Sequence, residues 1–167
     1  EGETLLLIGE ERGHLGQSLY MDVILKRREG APPPVDLEAE KRNGDFVREL
    51  IRDGAVSTVH DLSDGGLLVA VTEMALAGRI GARLDRGPED VPAHAILFGE
   101  DQGRYVVTVA QDKVEAVLED ILDGGIDVQQ IGTTGGTDLT VEGILTISVA
   151  NLKKAHEDWF PNYMATA

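Results

Sequence analysis

The run His60-Asp61-Leu62-Ser63-Asp64-Gly65-Gly66-Leu67 brings carboxylates, a hydroxyl and adjacent glycines together between two apolar segments of different period. Upstream, Ala55, Val56, Thr58 and Val59 read as a short strand; downstream, Leu67, Leu68, Val71, Met74 and Ala75 recur at helical spacing. The polar run therefore predicts a strand-to-helix corner. There Gly65 and Gly66 permit positive φ and close backbone approach. Ser63 or Asp64 can cap the orphan amides of the helix, and those amides can instead hold a phosphate or a carboxylate. His60 reads as a hydrogen-bonded residue at the strand end. Asp61 and Asp64 read as turn and capping acids, although paired carboxylates also suit a hydrated magnesium ion. A second group, Glu100, Gln102 and Arg104, combines a carboxylate, an amide and a guanidinium, which can fix hydroxyls, amide nitrogens and phosphate. An extended segment would place all three on one face; otherwise they form a solvated edge with an exposed ion pair of little energetic value.

These residues need a scaffold. Thr4 to Ile8 is a continuous apolar run of strand length closed by Gly9. Ser18 to Leu25 predicts a short helix with Leu19, Val23 and Ile24 toward the core, and Lys26-Arg27-Arg28 suit its carboxyl end. Pro32-Pro33-Pro34 enforces an extended connection. A helix starts near Asp36 with Ala39, Asn43, Phe46, Val47, Leu50 and Ile51 on one stripe, and Gly54 ends it. Gly81 to Leu84, Arg104 to Val109, Ile126 to Ile131 and Gly143 to Val149 read as further strands. Val114 to Leu122 and Asn151 to Phe160 read as helices, and Gly135-Gly136 as a hairpin loop. Interspersed elements of both kinds predict an α/β or α+β fold, with helices covering a mixed sheet.

The chain has 167 residues, which predicts a single domain, 1–167, burying roughly 70% of the surface exposed when unfolded. Fifteen basic against thirty acidic residues give a net charge of −15, which disfavours nucleic acid and anionic membranes as partners. No run approaches the ~20 apolar residues of a membrane span. The absence of cysteine excludes disulfides and thiolate chemistry and fits a reducing, cytoplasmic setting. His14, His60, His94 and His156 lack the spacing of a zinc site, so no metal site is assigned. A chain that opens on Glu1 and enters a strand almost at once reads as a domain excised from a larger polypeptide.

His60 to Gly78, HDLSDGGLLVAVTEMALAG, resembles a motif of the carboxy-terminal domain of the phosphoribosylformylglycinamidine synthase family. Leu97-Phe98-Gly99-Glu100-Asp101-Gln102-Gly103-Arg104 resembles that family's LF-(S/G)-E-S-Q-G-R segment in order and separation. Gly13-His14-Leu15-Gly16-Gln17-Ser18-Leu19-Tyr20 is similar to its LGGSEY opening, and Trp159-Phe160-Pro161-Asn162-Tyr163-Met164 to its carboxy-terminal tail. The departures are Asp101, where Ser is usual, and Gln17, where the second Gly is usual. Asp101 adds negative charge to the candidate ligand edge.

The resemblance implies an aminoimidazole ribonucleotide synthase C-terminal-like fold. It also implies a parent ligase that uses ATP, Mg²⁺ and glutamine-derived ammonia to convert formylglycinamide ribonucleotide to formylglycinamidine ribonucleotide in purine biosynthesis. No catalytic residue of the family maps onto this chain, so the domain alone is expected to be inactive and to hold neither ATP nor Mg²⁺. Asp64, Gly65, Gly66, Glu100, Gln102 and Arg104 are expected to line a cleft facing a neighbouring domain, with His60, Asp61 and Ser63 in the turn. The implied partners are the preceding domains, a separate glutaminase subunit and a small bridging subunit. Two other readings stay open from the residues: a stand-alone acidic module for a phosphorylated metabolite, and a structural interaction domain.

Overall fold

β1 (Thr4–Ile8) is buried along its whole length because it lies between two antiparallel neighbours and feeds both faces of a sheet. The structure is a computed structural model that describes residues 1–88 and 90–165. Leu5 and Leu7 pack on one face with Leu67, Ala70 and Val71 of α2 (Gly66–Gly78) and Ile96's neighbour Leu97 of α3 (Ala93–Phe98). Leu6 and Ile8 pack on the other face with Val47 and Leu50 of α1 (Leu37–Arg52) and Val117 and Ile121 of α4 (Val114–Asp123). Strict alternation along one strand thus divides the core into two layers.

The remaining strands are β2 (Thr58–Asp61), β3 (Ala82–Leu84), β4 (Tyr105–Val109), β5 (Val128–Thr134), β6 (Asp138–Val141) and β7 (Leu145–Ser148). They form a seven-stranded sheet in the order β2-β4-β1-β5-β3-β6-β7. Every pair is antiparallel except β3 with β6, so the sheet is mixed, as the interspersed elements predict. α1 starts as its sequence indicates: the Asp36 carboxylate accepts the Glu38 and Ala39 amides at 3.0 and 3.1 Å. Ile51, expected on its buried stripe, is 52% exposed.

Three local expectations change. The Gly135-Gly136 turn is not a hairpin loop, because β3 lies between β5 and β6. The turn instead wraps the start of β3: Gly81 donates to the Gly136 carbonyl and accepts from the Gly135 amide, both at 2.8 Å. A Cβ on Gly81 would lie 2.7 Å from the Gly135 oxygen, so the crossing needs glycine there. The hairpin is β6–β7, one strand later. The expected helix from Ser18 to Leu25 is a single wide turn, Tyr20–Ile24, closed by the Leu25 amide on the Tyr20 carbonyl. Leu19, Val23 and Ile24 face outward rather than into the core, and Ile24 is 61% exposed. Tyr20 makes the inward contact instead, its ring stacked 5.1 Å from Phe98 and 5.6 Å from His94. The last helix, α5 (Val149–Ala165), continues past the expected end at Phe160 and includes Pro161. It packs beside α2, with Leu152 against the core.

Candidate functional site

The corner between β2 and α2 is built by glycines and a distant acid. Gly65 is the cap of α2 with φ 83°, and Gly66 follows with φ 66°. Both lie in the left-handed region that only glycine enters without strain. A Cβ on Gly66 would come within 2.5 Å of the Gly99 oxygen, so the helix start presses directly on the 98–99 backbone. Local capping by Ser63 or Asp64 does not occur. Ser63 supplies only its carbonyl, to the Gly66 amide at 3.1 Å, and both side chains are exposed. The Gly65 amide donates to Oε1 of Glu100 at 2.8 Å, and the same oxygen accepts the Leu19 amide at 2.8 Å. A carboxylate from thirty-five residues away therefore holds the cap residue's own amide, and no side chain caps the first turn.

Residues 99–104 are a bend rather than a strand, which separates the side chains that an extended segment would align. Glu100 turns to the corner. Gln102 is exposed, with Nε2 donating to the Glu100 carbonyl at 3.1 Å. Arg104 turns inward, its side chain fully buried: one guanidinium nitrogen donates to the Gly99 carbonyl at 2.6 Å, and Nε donates to the Asp101 carbonyl at 3.1 Å. Its remaining nitrogen reaches Glu11 at 3.4 Å. Burial pushes the Glu11 carboxyl up, with Asp101 adding to the rise and Arg104 opposing it. Burial likewise lowers the Arg104 guanidinium, against the pull of Asp101 and Glu11.

Asp101, the departure from the family pattern, has an internal role. Its Oδ2 accepts the Arg12, Gly13 and His14 amides at 3.0, 2.8 and 3.3 Å, so three successive backbone donors surround one buried carboxylate. Gln17, where the resemblance leads one to expect glycine, adopts φ 61°, in the left-handed region that favours glycine, and its Nε2 ties back to the Gly30 carbonyl at 2.9 Å. His60 is structural in its contacts. Nδ1 lies 2.6 Å from the Asp61 carbonyl and Nε2 lies 3.0 Å from the Glu73 carboxylate on α2. Asp61 itself is 69% exposed. Tyr105, next on β4, has its hydroxyl pushed up by burial and then by the Glu40 and Asp61 carboxylates.

The structure thus joins three segments far apart in sequence. Residues 11–19, 60–66 and 99–104 are tied by Glu100, Asp101 and Arg104, and the Leu62 amide adds a bond to the Arg104 carbonyl at 2.9 Å. Ser63, Asp64 and Gln102 face outward from this knot, as do Arg12, Gln17 and Asp61. Glu11 and the Leu19 amide were not legible as members, because neither sits in a spacing that marks it. At the start of α2 the Gly65 amide already has an anionic partner. The arrangement does not fit a resident metal: among the described residues no group of three or more His, Cys, Asp or Glu side chains is placed to hold one. Among the described residues, no helix is long and apolar enough to cross a membrane.

Residues 1–144 match the family described as AIR synthase related protein, C-terminal domain. The chain is 56% identical over 165 residues to the phosphoribosylformylglycinamidine synthase subunit PurL of Rhodopseudomonas palustris strain HaA2, covering 99% of this chain. It is 53% identical over 166 residues to the PurL subunit of Methylocella silvestris, again covering 99% of this chain. The chain spans 22% of the length of these curated relatives. Its fold is similar to that in Thermotoga maritima PurL complexed with FGAR, with TM-score 0.72 and 21% identity over 91% of this chain and 28% of that one. A PurLQS structure from the same organism gives TM-score 0.70 at 22% identity, covering 91% of this chain and 26% of the matched one. The chain belongs to the AIR synthase related protein, C-terminal domain family.

Proposed function

We propose that residues 1–167 form one domain, the carboxy-terminal domain of a phosphoribosylformylglycinamidine synthase of the separate-glutaminase form. In this reading the parent ligase converts formylglycinamide ribonucleotide, ATP and glutamine-derived ammonia to formylglycinamidine ribonucleotide, ADP and phosphate in the cytoplasm. The observation that carries it is 56% identity to a PurL subunit across 99% of this chain. Magnesium and the nucleotide belong to other parts of the parent. The glutaminase and a small bridging subunit are its partners, a reading supported by the PurLQS structure from Thermotoga maritima, which contains this fold.

The domain's contribution is scaffold and surface. The knot of Glu100, Asp101 and Arg104 holds the 11–19 loop and the start of α2 in fixed relation. That presents Asp64 and Gln102, with the Gly65-Gly66 backbone behind them, along a cleft facing a neighbouring domain. Glu100 and Arg104 act there as positioning residues, since Glu100 Oε1 and the Arg104 guanidinium are engaged within the chain.

The test is a chimera in which this chain replaces the matching part of the Rhodopseudomonas palustris subunit. Glutamine- and ATP-dependent amidine formation is expected to persist. A folded chimera that still binds ATP but forms no amidine overturns the assignment. Titration of this chain alone with formylglycinamide ribonucleotide or Mg-ATP is expected to give no saturable heat. Saturable heat would identify a stand-alone metabolite-binding module instead.

A further inference from the structure

α5 rests on the domain only through its first turns. Leu152 packs against the core beside α2, whereas every residue from Lys154 to Ala165 is exposed. Those last turns present a single apolar stripe: Trp159 with Tyr163, and Phe160 with Met164, are i, i+4 pairs, each residue 58% to 64% exposed. The Trp159 and Tyr163 rings stack at 5.5 Å with 9° between their planes, so the stripe is a preformed aromatic ridge. Leu152 lies on the same helical face, so the stripe begins against the core and runs out past the edge of the domain.

The segment lacks the marks of a solvated helix end. The chain is 27% charged, yet 159–165 contains no charged residue. Lys153 pairs with Glu157, and Lys154 with Asp158 at 2.9 Å, so the charges before the stripe are matched within the helix. Pro161 lies inside the helix and cannot donate to the carbonyl of residue 157. A short helical extension that carries a proline and packs on nothing is marginal in water. Its helical form calls for an apolar surface from outside this chain.

The source of that surface follows from where the segment sits among relatives. Residues 1–144 match the domain family, and α5 lies beyond them. The match to the PurL subunits runs over 165 and 166 residues and takes α5 in. α5 is thus a feature of those subunits rather than of the domain that the family describes. This chain spans 22% of their length, so most of the parent surface lies outside it.

We propose that the apolar stripe of α5 docks in an apolar groove on the part of the parent subunit outside residues 1–167, with Trp159 and Phe160 as its anchors. The inference rests on the parent-ligase reading, and it involves none of the residues that tie the corner of Glu100, Asp101 and Arg104.

The test is hydrogen exchange, read by mass spectrometry over residues 154–165, in this chain alone and in the chimeric Rhodopseudomonas palustris subunit that carries it. Exchange in the chimera is expected to be slower by about tenfold or more, as for a helix closed by docking. Trp159→Ser with Phe160→Ser should return the chimera to the rate of the chain alone. The same double variant should leave the melting temperature of the chain alone unchanged, since both side chains are exposed there. Met164→Ser, a smaller change on the same stripe, should give a partial loss of protection and carries the decision if the double variant fails to fold. Equal exchange in the two proteins overturns the proposal, as does a lower melting temperature of the chain alone in the double variant. Exchange of the chain alone that slows with concentration assigns the stripe to a second copy, and protection that appears only on adding the other subunits assigns it to them. Either result overturns the intrachain groove. Amidine formation by the same chimera keeps the two readings apart. An active chimera with 154–165 unprotected overturns the docking alone, and a protected segment in a chimera that binds ATP but forms no amidine overturns the ligase assignment alone.

Discussion

Glu100 Oε1 sits 2.8 Å from the Gly65 amide, so the anion at the start of α2 is the chain's own carboxylate. The same oxygen holds the Leu19 amide, which makes one side chain responsible for the position of both the helix start and the 15–25 loop. Removing it leaves two backbone donors without their charged acceptor. Glu100→Ala is expected to cost about 1–3 kcal/mol in urea denaturation. It also opens the helix end to an external anion. Inorganic phosphate should therefore raise the melting temperature of Glu100→Ala relative to chloride at equal ionic strength, with no such difference for the parent chain. Equal responses of the two proteins would show that Glu100 does not occupy the anion position.

Arg104 and Glu11 form a second tie, and its energetics differ because both side chains are almost wholly removed from water, at 0% and 7% exposure. Desolvation opposes the pair, while hydrogen bonds from the guanidinium to the Gly99 and Asp101 carbonyls compensate it. Arg104→Met strands the Glu11 carboxylate and both carbonyls, and is expected to cost about 3–5 kcal/mol. Arg104→Met with Glu11→Gln should recover part of that loss, because the neutral amide no longer needs a cation. Denaturation of the two single variants and the double variant measures the coupling, and additive effects would show that the two groups do not interact.

The pH dependence follows from the opposed directions of two acids. Burial holds Glu11 above the ordinary carboxylate value, so its stabilising contribution is complete at low pH and is lost as pH rises through its folded pKa. The Ala39 and Glu38 amides hold Asp36 below that value. Its contribution is present above the unfolded value, about 4, and is lost as pH falls through its folded pKa. Urea midpoints measured across the acid range should show Glu11→Gln gaining on the parent chain as pH rises above about 4 and running parallel to it below. Asp36→Asn keeps a capping oxygen and should remove part of the loss on the acid side. A Glu11→Gln profile parallel to the parent throughout would contradict the burial argument.

The sheet and its two-layer core were legible because the signals are local. Leu5 to Ile8 is apolar at every position of a strand that needs both faces buried, and Val47 and Leu50 fall on the helical stripe that α1 buries. The corner at Gly65-Gly66 was legible for the same reason. The identity of its cap was not. Ser63 and Asp64 are good local caps by type, but left-handed glycines carry the amide toward residue 100, and no spacing rule encodes a contact across thirty-five residues. Arg104 shows the limit from the other side: its chemistry suits a phosphate, whereas its partners are carbonyls exposed by the bend at 99–103. The Gly135-Gly136 turn misled because turn chemistry specifies a reversal without specifying which strand lies next to it. Asn43 was readable as a member of a buried stripe, while the bond from its amide to the Gly103 carbonyl depends on where Gly103 lies in space.

The two corner glycines should differ in what they tolerate. A Cβ on Gly65 would meet a Val69 methyl at 2.5 Å, and that side chain can rotate or be trimmed. A Cβ on Gly66 would meet the Gly99 oxygen at 2.5 Å and the Phe98 carbonyl carbon at 2.8 Å, both backbone atoms held by α3 and by the Arg104 contact to Gly99. Each substitution carries a left-handed backbone penalty of about 1–2 kcal/mol. Gly66→Ala adds to it the displacement of the 98–99 segment, so its total cost should exceed that of Gly65→Ala. Trimming Val69 to Ala should therefore reduce the cost of Gly65→Ala and leave that of Gly66→Ala unchanged. Hydrogen exchange gives an independent reading: Gly66→Ala should speed exchange at the Leu19 amide, because moving residues 98–99 also moves Glu100, its acceptor. Equal costs for the two glycine variants, with Leu19 protection intact, would mean that the close approach of α2 to Gly99 does not set the geometry of the corner.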